Sequence, residues 1–199
     1  MDIRALHARA LVLATEVVDQ VGPAQLDLPT PCEGWTLGRL LEHMIGANHG
    51  FAAAAQGLGG DLAQWRDRPF EGAPGADWAT SVDEVAKTFA DPVEQFLIPE
   101  IRVGAEFPAE LAISFHYLDT LVHGWDVAAA LGLPFEPAPE LSRVLLAVAA
   151  KVPATPEYRA PGAQFGRVHA VDPAAPAFQQ ALALLGRDPG WAAPGGSPA

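Results

Sequence analysis

The sequence predicts an all-α protein: an antiparallel bundle of four long helices, extra short helices, and a Pro/Gly-rich C-terminal extension. Three observations carry this. Apolar residues recur at three- and four-residue intervals through most of the chain up to residue 151. No apolar–polar alternation lasts long enough to make a sheet, although "QFGRVHAV" (164–171) has the make-up of one short strand. The 199 residues, half of them hydrophobic and 18% charged, suffice for one globular core.

Taken in order, Ile3, Leu6, Ala10, Leu13, Ala14, Val17 and Val21 form one stripe, so residues 2–21 are expected to be helical. "GPAQLDLPTPCEGW" then reads as an ordered loop. Thr36 is a candidate N-cap for a second helix to about Gln56, striped by Leu37, Leu40, Leu41, Met44 and Phe51. A polar, Gly- and Pro-rich stretch over 57–79 interrupts the pattern. Ser81, with Asp83 and Glu84 in the first turn, suggests a third helix over 81–98. The fourth begins near Pro108, a residue tolerated in a first turn, and ends near Gly132. A fifth is expected over 138–151 and a short one over 174–186. The bundle is assigned to 1–155, an extension packed on it to 156–191, and a disordered tail to 192–199.

Charge excludes some functions. The net charge is −12 and no Lys/Arg cluster exists, so neither a phosphate-tracking nucleic-acid surface nor an anionic membrane surface is expected. Cys32 is the only cysteine, which rules out an intrachain disulfide. The first helix is broken by Arg9, Glu16 and Asp19 and lacks the unbroken apolar run of a signal peptide or membrane span. Cytoplasmic localisation is the default.

The informative segment is "HYLDTLVHGWDVAAALG" (116–132). It carries His116, Asp119, His123 and Asp126 and no Lys, Arg or Glu. On a helical wheel His123, Asp119 and Asp126 lie about 20°, 60° and 80° from His116, all in one direction. Leu118, Leu121, Val122, Trp125 and Ala129 fill the other side, which is expected to face the core. A solvated face is the commonest meaning of such a column, but solvated faces are built from Lys, Glu and Arg. Two core imidazoles beside a carboxylate are costly unless each has a partner. The third reading is a metal site, because Asp119 and His123 have the i, i+4 spacing that lets one helix chelate one ion.

A further ligand must then come from elsewhere, and the second helix offers His43. Gly46, Ala47 and Gly50 follow it as a small-residue column, leaving room for another helix or a ligand. His49 points about 120° away from His43 and is the weaker candidate. Cys32 lies just before a helix N-terminus, where a thiolate is favoured, but reads better as a buried turn residue. Arg39 is expected to face solvent, and Arg187 to make a structural salt bridge or cap.

"PTPCEGWTLGRLLEHMIGANHGFA", "LDTLVHGWDVAAALG" and "LALLGRDPGW", in this order and spacing, resemble the actinobacterial metal-binding proteins of the DinB-like/YfiT superfamily, related to the mycothiol-dependent maleylpyruvate isomerase family. The resemblance spans roughly residues 5–191. It implies a DinB-like four-helix bundle with one divalent metal, held by His43, Asp119 and His123. Asp119 stands where the isomerases usually have Glu. His116, one turn earlier, is then a base or a further ligand, and Trp35, Gly124, Trp125 and Asp126 match positions that look structural.

The implied activity is a zinc-dependent transferase or isomerase using a thiol such as mycothiol on a small electrophile, with His116 as proton acceptor. Nickel or another divalent ion is an alternative to zinc. A metal-binding sensor or scaffold without turnover, and a metal-assisted hydrolase, remain open beside it. So does the choice between monomer and homodimer.

Overall fold

The structure, a computed structural model, describes residues 2–160 and 163–193. It is the expected all-α bundle with one small hairpin. The long helices are α1 (Ile3–Val18), α2 (Leu37–Ala55), α3 (Gly75–Ala90) and α4 (Ala109–Leu131). α4 packs on α1 and α2, and α3 closes the ring against those same two helices. Two shorter helices follow, α5 (Pro139–Ala149) and α6 (Ala177–Leu184). Leu141 and Leu145 of α5 and Phe178 and Leu182 of α6 share one core with Leu6 of α1 and Leu121 of α4. No helix among the described residues is long and apolar enough to cross a membrane.

Local chemistry sets the ends. The Thr36 hydroxyl accepts from the Arg39 N–H and caps α2. α4 ends where Gly132 turns left-handed at φ 69° and the Leu133 N–H bonds to Ala128 O at 2.8 Å.

α3 departs from the expected 81–98. Ser81 is interior to the helix and not its cap. Its hydroxyl donates to Trp78 O and accepts from Asn48 Nδ2 at 2.9 Å, so it is a buried polar tie between α2 and α3. The helix stops at Ala90 because Asp91, preceding Pro92, is held extended at ψ 150°. The residues taken for its end form β1 (Gln95–Leu97), antiparallel to β2 (Glu106–Pro108), with Phe96 opposite Phe107. "QFGRVHAV" is not a strand. It is an irregular run tied to α6 by the His169 N–H bonding to Ala183 O. Most of the tail expectation, 194–199, lies outside the described residues.

α4 is enclosed along most of its length. From Ala112 to Ala130 every residue is buried or half-buried. The His/Asp column faces protein too: His116 is 1% exposed and Asp126 0%.

Candidate metal centre

α2 and α4 bring His43, Asp119 and His123 together, one candidate ligand atom from each lying within 4.8 Å of the others. His123 Nε2 is 3.3 Å from Asp119 Oδ1. The His43 and His123 rings meet edge to face, with centroids 5.3 Å apart. The side chains of His43 and Asp119 stay 25% and 29% exposed, so the cluster opens to solvent on one side.

Both imidazoles are backed by a carboxylate at Nδ1. Asp126 Oδ2 lies 2.9 Å from His123 Nδ1, and Asp67 Oδ1 lies 3.5 Å from His43 Nδ1. In His123 the hydrogen bond at Nδ1 leaves Nε2 as the nitrogen free to bind, while Asp67 stands at ion-pair distance from His43 without a hydrogen bond. Asp126 comes from α4 itself, one turn after His123. Asp67 arrives on the segment between α2 and α3, and the glycines of α2 explain how. A Cβ at Gly46 would lie 2.5 Å from Arg66 O and 3.1 Å from Asp67 Cα. One at Gly50 would lie 2.5 Å from the Trp65 ring. The small-residue column thus makes room for this protein's own loop, not for another helix or a ligand.

Trp35 walls the same opening. Its ring stacks near-parallel to His123, 6.3 Å away, and edge-on to His43 at 5.0 Å. The loop fixes it there: Thr30 Oγ1 donates to Trp35 O at 3.0 Å, and Pro29 bridges Thr36. Arg39 is exposed, and its guanidinium sits over the Trp35 ring, 4.8 Å from the ring centre. His49 faces α3 and pairs with Glu84 at 2.6 Å, away from the cluster.

His116 lies deeper. Its Nδ1 is 2.7 Å from His7 Nε2, and Phe51 and Phe89 pack on its ring. Burial pulls its pKa down to about 4 against the opposing pull of Asp119. Burial, then His116, holds His7 well below the ordinary value as well. The pair is therefore neutral at pH 7, one ring donating and the other accepting. His7 was not singled out in the sequence, although it stands between Leu6 and Ala10 within the apolar stripe of α1.

The cluster itself is strongly polarised. Burial pushes the Asp119 carboxyl up, but His123, His43 and His116 hold it well below the usual carboxylate range. Burial pulls His123 down, but Asp119 and Asp126 more than offset it, pushing the ring up to about 9. Burial leaves His43 lowered. Glu100, in the turn after β1, is pushed up to about 7, first by desolvation and then by the charges of Asp119 and Asp67. The Cys32 thiol is pushed up to about 11 by burial, against Arg187, so it is a thiol and not a thiolate.

The model of the mycothiol maleylpyruvate isomerase N-terminal domain matches residues 7–128, a span that includes His43, Asp119 and His123. The chain belongs to this family. Over 189 residues it is 31% identical to the uncharacterized protein Rv0738 of Mycobacterium tuberculosis strain ATCC 25618 / H37Rv, covering 92% of this chain and 94% of that one. It matches MT0763 of strain CDC 1551 / Oshkosh to the same extent. The fold resembles a crystal structure of the mycothiol-dependent maleylpyruvate isomerase, with a TM-score of 0.54 at 16% identity over 82% of this chain and 72% of that one. A crystal structure of a mutant of that enzyme gives a TM-score of 0.53 at 15% identity, with the same coverage. At such identity the likeness is one of fold. The family is thiol-dependent and isomerase-like by its name; the chemistry at this chain's own cluster is a separate question.

Proposed function

We propose that His43, Asp119 and His123 hold one divalent metal ion, and that the protein works with a low-molecular-weight thiol of the mycothiol type as a transferase or isomerase on a small electrophile. One observation carries the metal reading: three donors from two helices converge within 4.8 Å, with a carboxylate behind each imidazole. That arrangement fits a catalytic ion. Two nitrogens and one oxygen are borderline donors suited to zinc ahead of nickel or another ion, and three protein ligands leave coordination positions open. Bound there, zinc would hold a thiol sulfur as thiolate at neutral pH.

The chain's own residues do the rest. Asp67 and Asp126 orient the rings. Trp35 narrows the opening and shields one side of His123 from water, while Arg39 fixes the Trp35 ring by a cation–π contact. In this reading His116 accepts the thiol proton at Nε2, which requires its Nδ1–H to donate to His7 Nε2; with its pKa lowered to about 4 by burial it is a weak base that must pass the proton on.

The test is a thiol-transfer and isomerisation assay with mycothiol, using maleylpyruvate and a chloronitroaromatic as electrophiles, with and without chelator. Turnover that needs both thiol and metal is the expected result. His116→Gln should then retain zinc and lose activity by about a hundredfold, the low end of what a positioned proton acceptor contributes. Full activity would make His116 a packing residue. Zinc binding with no turnover would leave a sensor or scaffold, and chelator-sensitive hydrolysis without thiol would mark a metal-assisted hydrolase.

A further inference from the structure

The family match ends at residue 128, yet a side chain from far beyond it reaches the centre. α6 stops at Leu184, and Gly186 turns left-handed at φ 81°. The Gly186 N–H bonds to Ala183 O, and the Arg187 N–H to Leu182 O at 2.9 Å, which closes the helix and reverses the chain. Glycine is required here twice over, by that φ and because a Cβ would lie 2.6 Å from the Gly166 backbone. The reversal sends Arg187 inward, to 6% exposure.

There Arg187 grips Asp126 with both arms of its fork. Nε donates to Oδ1 at 3.0 Å and Nη2 to Oδ2 at 2.9 Å. The same Oδ2 is 2.9 Å from His123 Nδ1. A carboxylate has no proton to give, so this last bond requires a hydrogen on Nδ1. The nitrogen facing Asp119 is then Nε2, the one a metal needs.

We propose that Arg187 is a positioning residue of the metal centre: by fixing Asp126 it fixes the orientation and the Nδ1–H form of His123. The C-terminal segment thereby completes a site whose ligands all lie in the matched domain. This rests on the metal reading above. Without Arg187, Asp126 is a fully buried carboxylate with one hydrogen-bond partner left. Freed from the fork, its carboxylate can rotate off Nδ1, and that releases the imidazole. Losing such an outer partner lowers metal affinity about ten- to a hundredfold.

Zinc titration of the full chain against a competing chelator is the first readout, and the assigned imidazole N–H resonance of His123 in the metal-free protein is the second. Arg187→Met should weaken zinc binding about ten- to a hundredfold and abolish or shift the Nδ1–H resonance. Arg187→Lys, which keeps the charge without the fork, should recover part of both. Wild-type affinity with an unchanged resonance in Arg187→Met overturns the proposal and leaves Arg187 as a clamp on the fold. If Arg187→Met does not fold, Arg187→Lys decides by the same two readouts: a partial loss supports the proposal and none overturns it. If the wild-type protein takes up no zinc, the metal reading falls by itself. The resonance, which needs no metal, then decides whether Arg187 sets the state of His123.

Discussion

His123→Ala and Asp119→Ala should each weaken zinc binding by more than about a hundredfold, beyond the cost of losing an outer partner, while far-UV circular dichroism stays close to wild type. Each substitution removes one of three donors, and two donors do not hold an ion against a chelator. The fold should survive because the side of α4 that joins the core, with Leu121 and Val122, is untouched. Asp126 loses its bond to His123 in the first variant but keeps both arms of Arg187. Asp119 is 29% exposed, so its removal leaves a rim position that water fills. Loss of helicity in both variants would mean that these residues hold the bundle together instead of holding an ion.

His116 should withdraw stability on the order of 3 kcal/mol from the chelated protein as pH drops from 6.5 to about 4. The folded His116 has its pKa lowered from 6.5 to about 4, so between those values the unfolded chain binds the extra proton. Stability is therefore full above the unfolded value and lost on acidification. His7 shifts in the same direction and adds to the loss. His123 shifts the other way, to about 9, and its contribution is already complete below 6.5. Glu100, pushed up to about 7, gains stability as pH falls towards 4.5, so the His116 loss is read as the difference between the wild type and a variant that lacks the pair. Urea unfolding across this range measures it, and the double variant His7→Leu, His116→Phe should lose less stability on acidification than the wild type by that amount. A wild-type curve that coincides in slope with that of the double variant would mean that the pair carries a proton in the folded state.

The long helices were legible because one period governs them. α1 and α2 bury stripes spaced at three and four residues, α4 is apolar over most of its surface, and Thr36 and Gly132 are end signals whose chemistry is local. α3 was misplaced because Ser81 looks like a cap in sequence and becomes an interior partner of Asn48 only once α2 packs beside it. The hairpin was missed because three-residue strands are too short to show alternation.

The centre divides in the same way. Asp119, His123 and Asp126 share one face of one helix, so spacing alone grouped them. His43 was reachable as the candidate on another helix. Asp67 was not, because the close approach of the 65–67 segment to Gly46 and Gly50 makes it a neighbour of His43. Those two glycines were a visible signal of a close approach, read without knowing what approached. Arg187 was read as structural, and its partner Asp126 sits 61 positions away across a helix end that no local pattern reports.

The claim on which everything else stands is that His43, Asp119 and His123 bind a metal. Inductively coupled plasma mass spectrometry of the full chain, purified without chelator, soaked in zinc and desalted, tests it most directly. About one zinc ion per chain in the wild type, and none in His123→Ala, is the predicted result. A wild-type protein that emerges without zinc would contradict it.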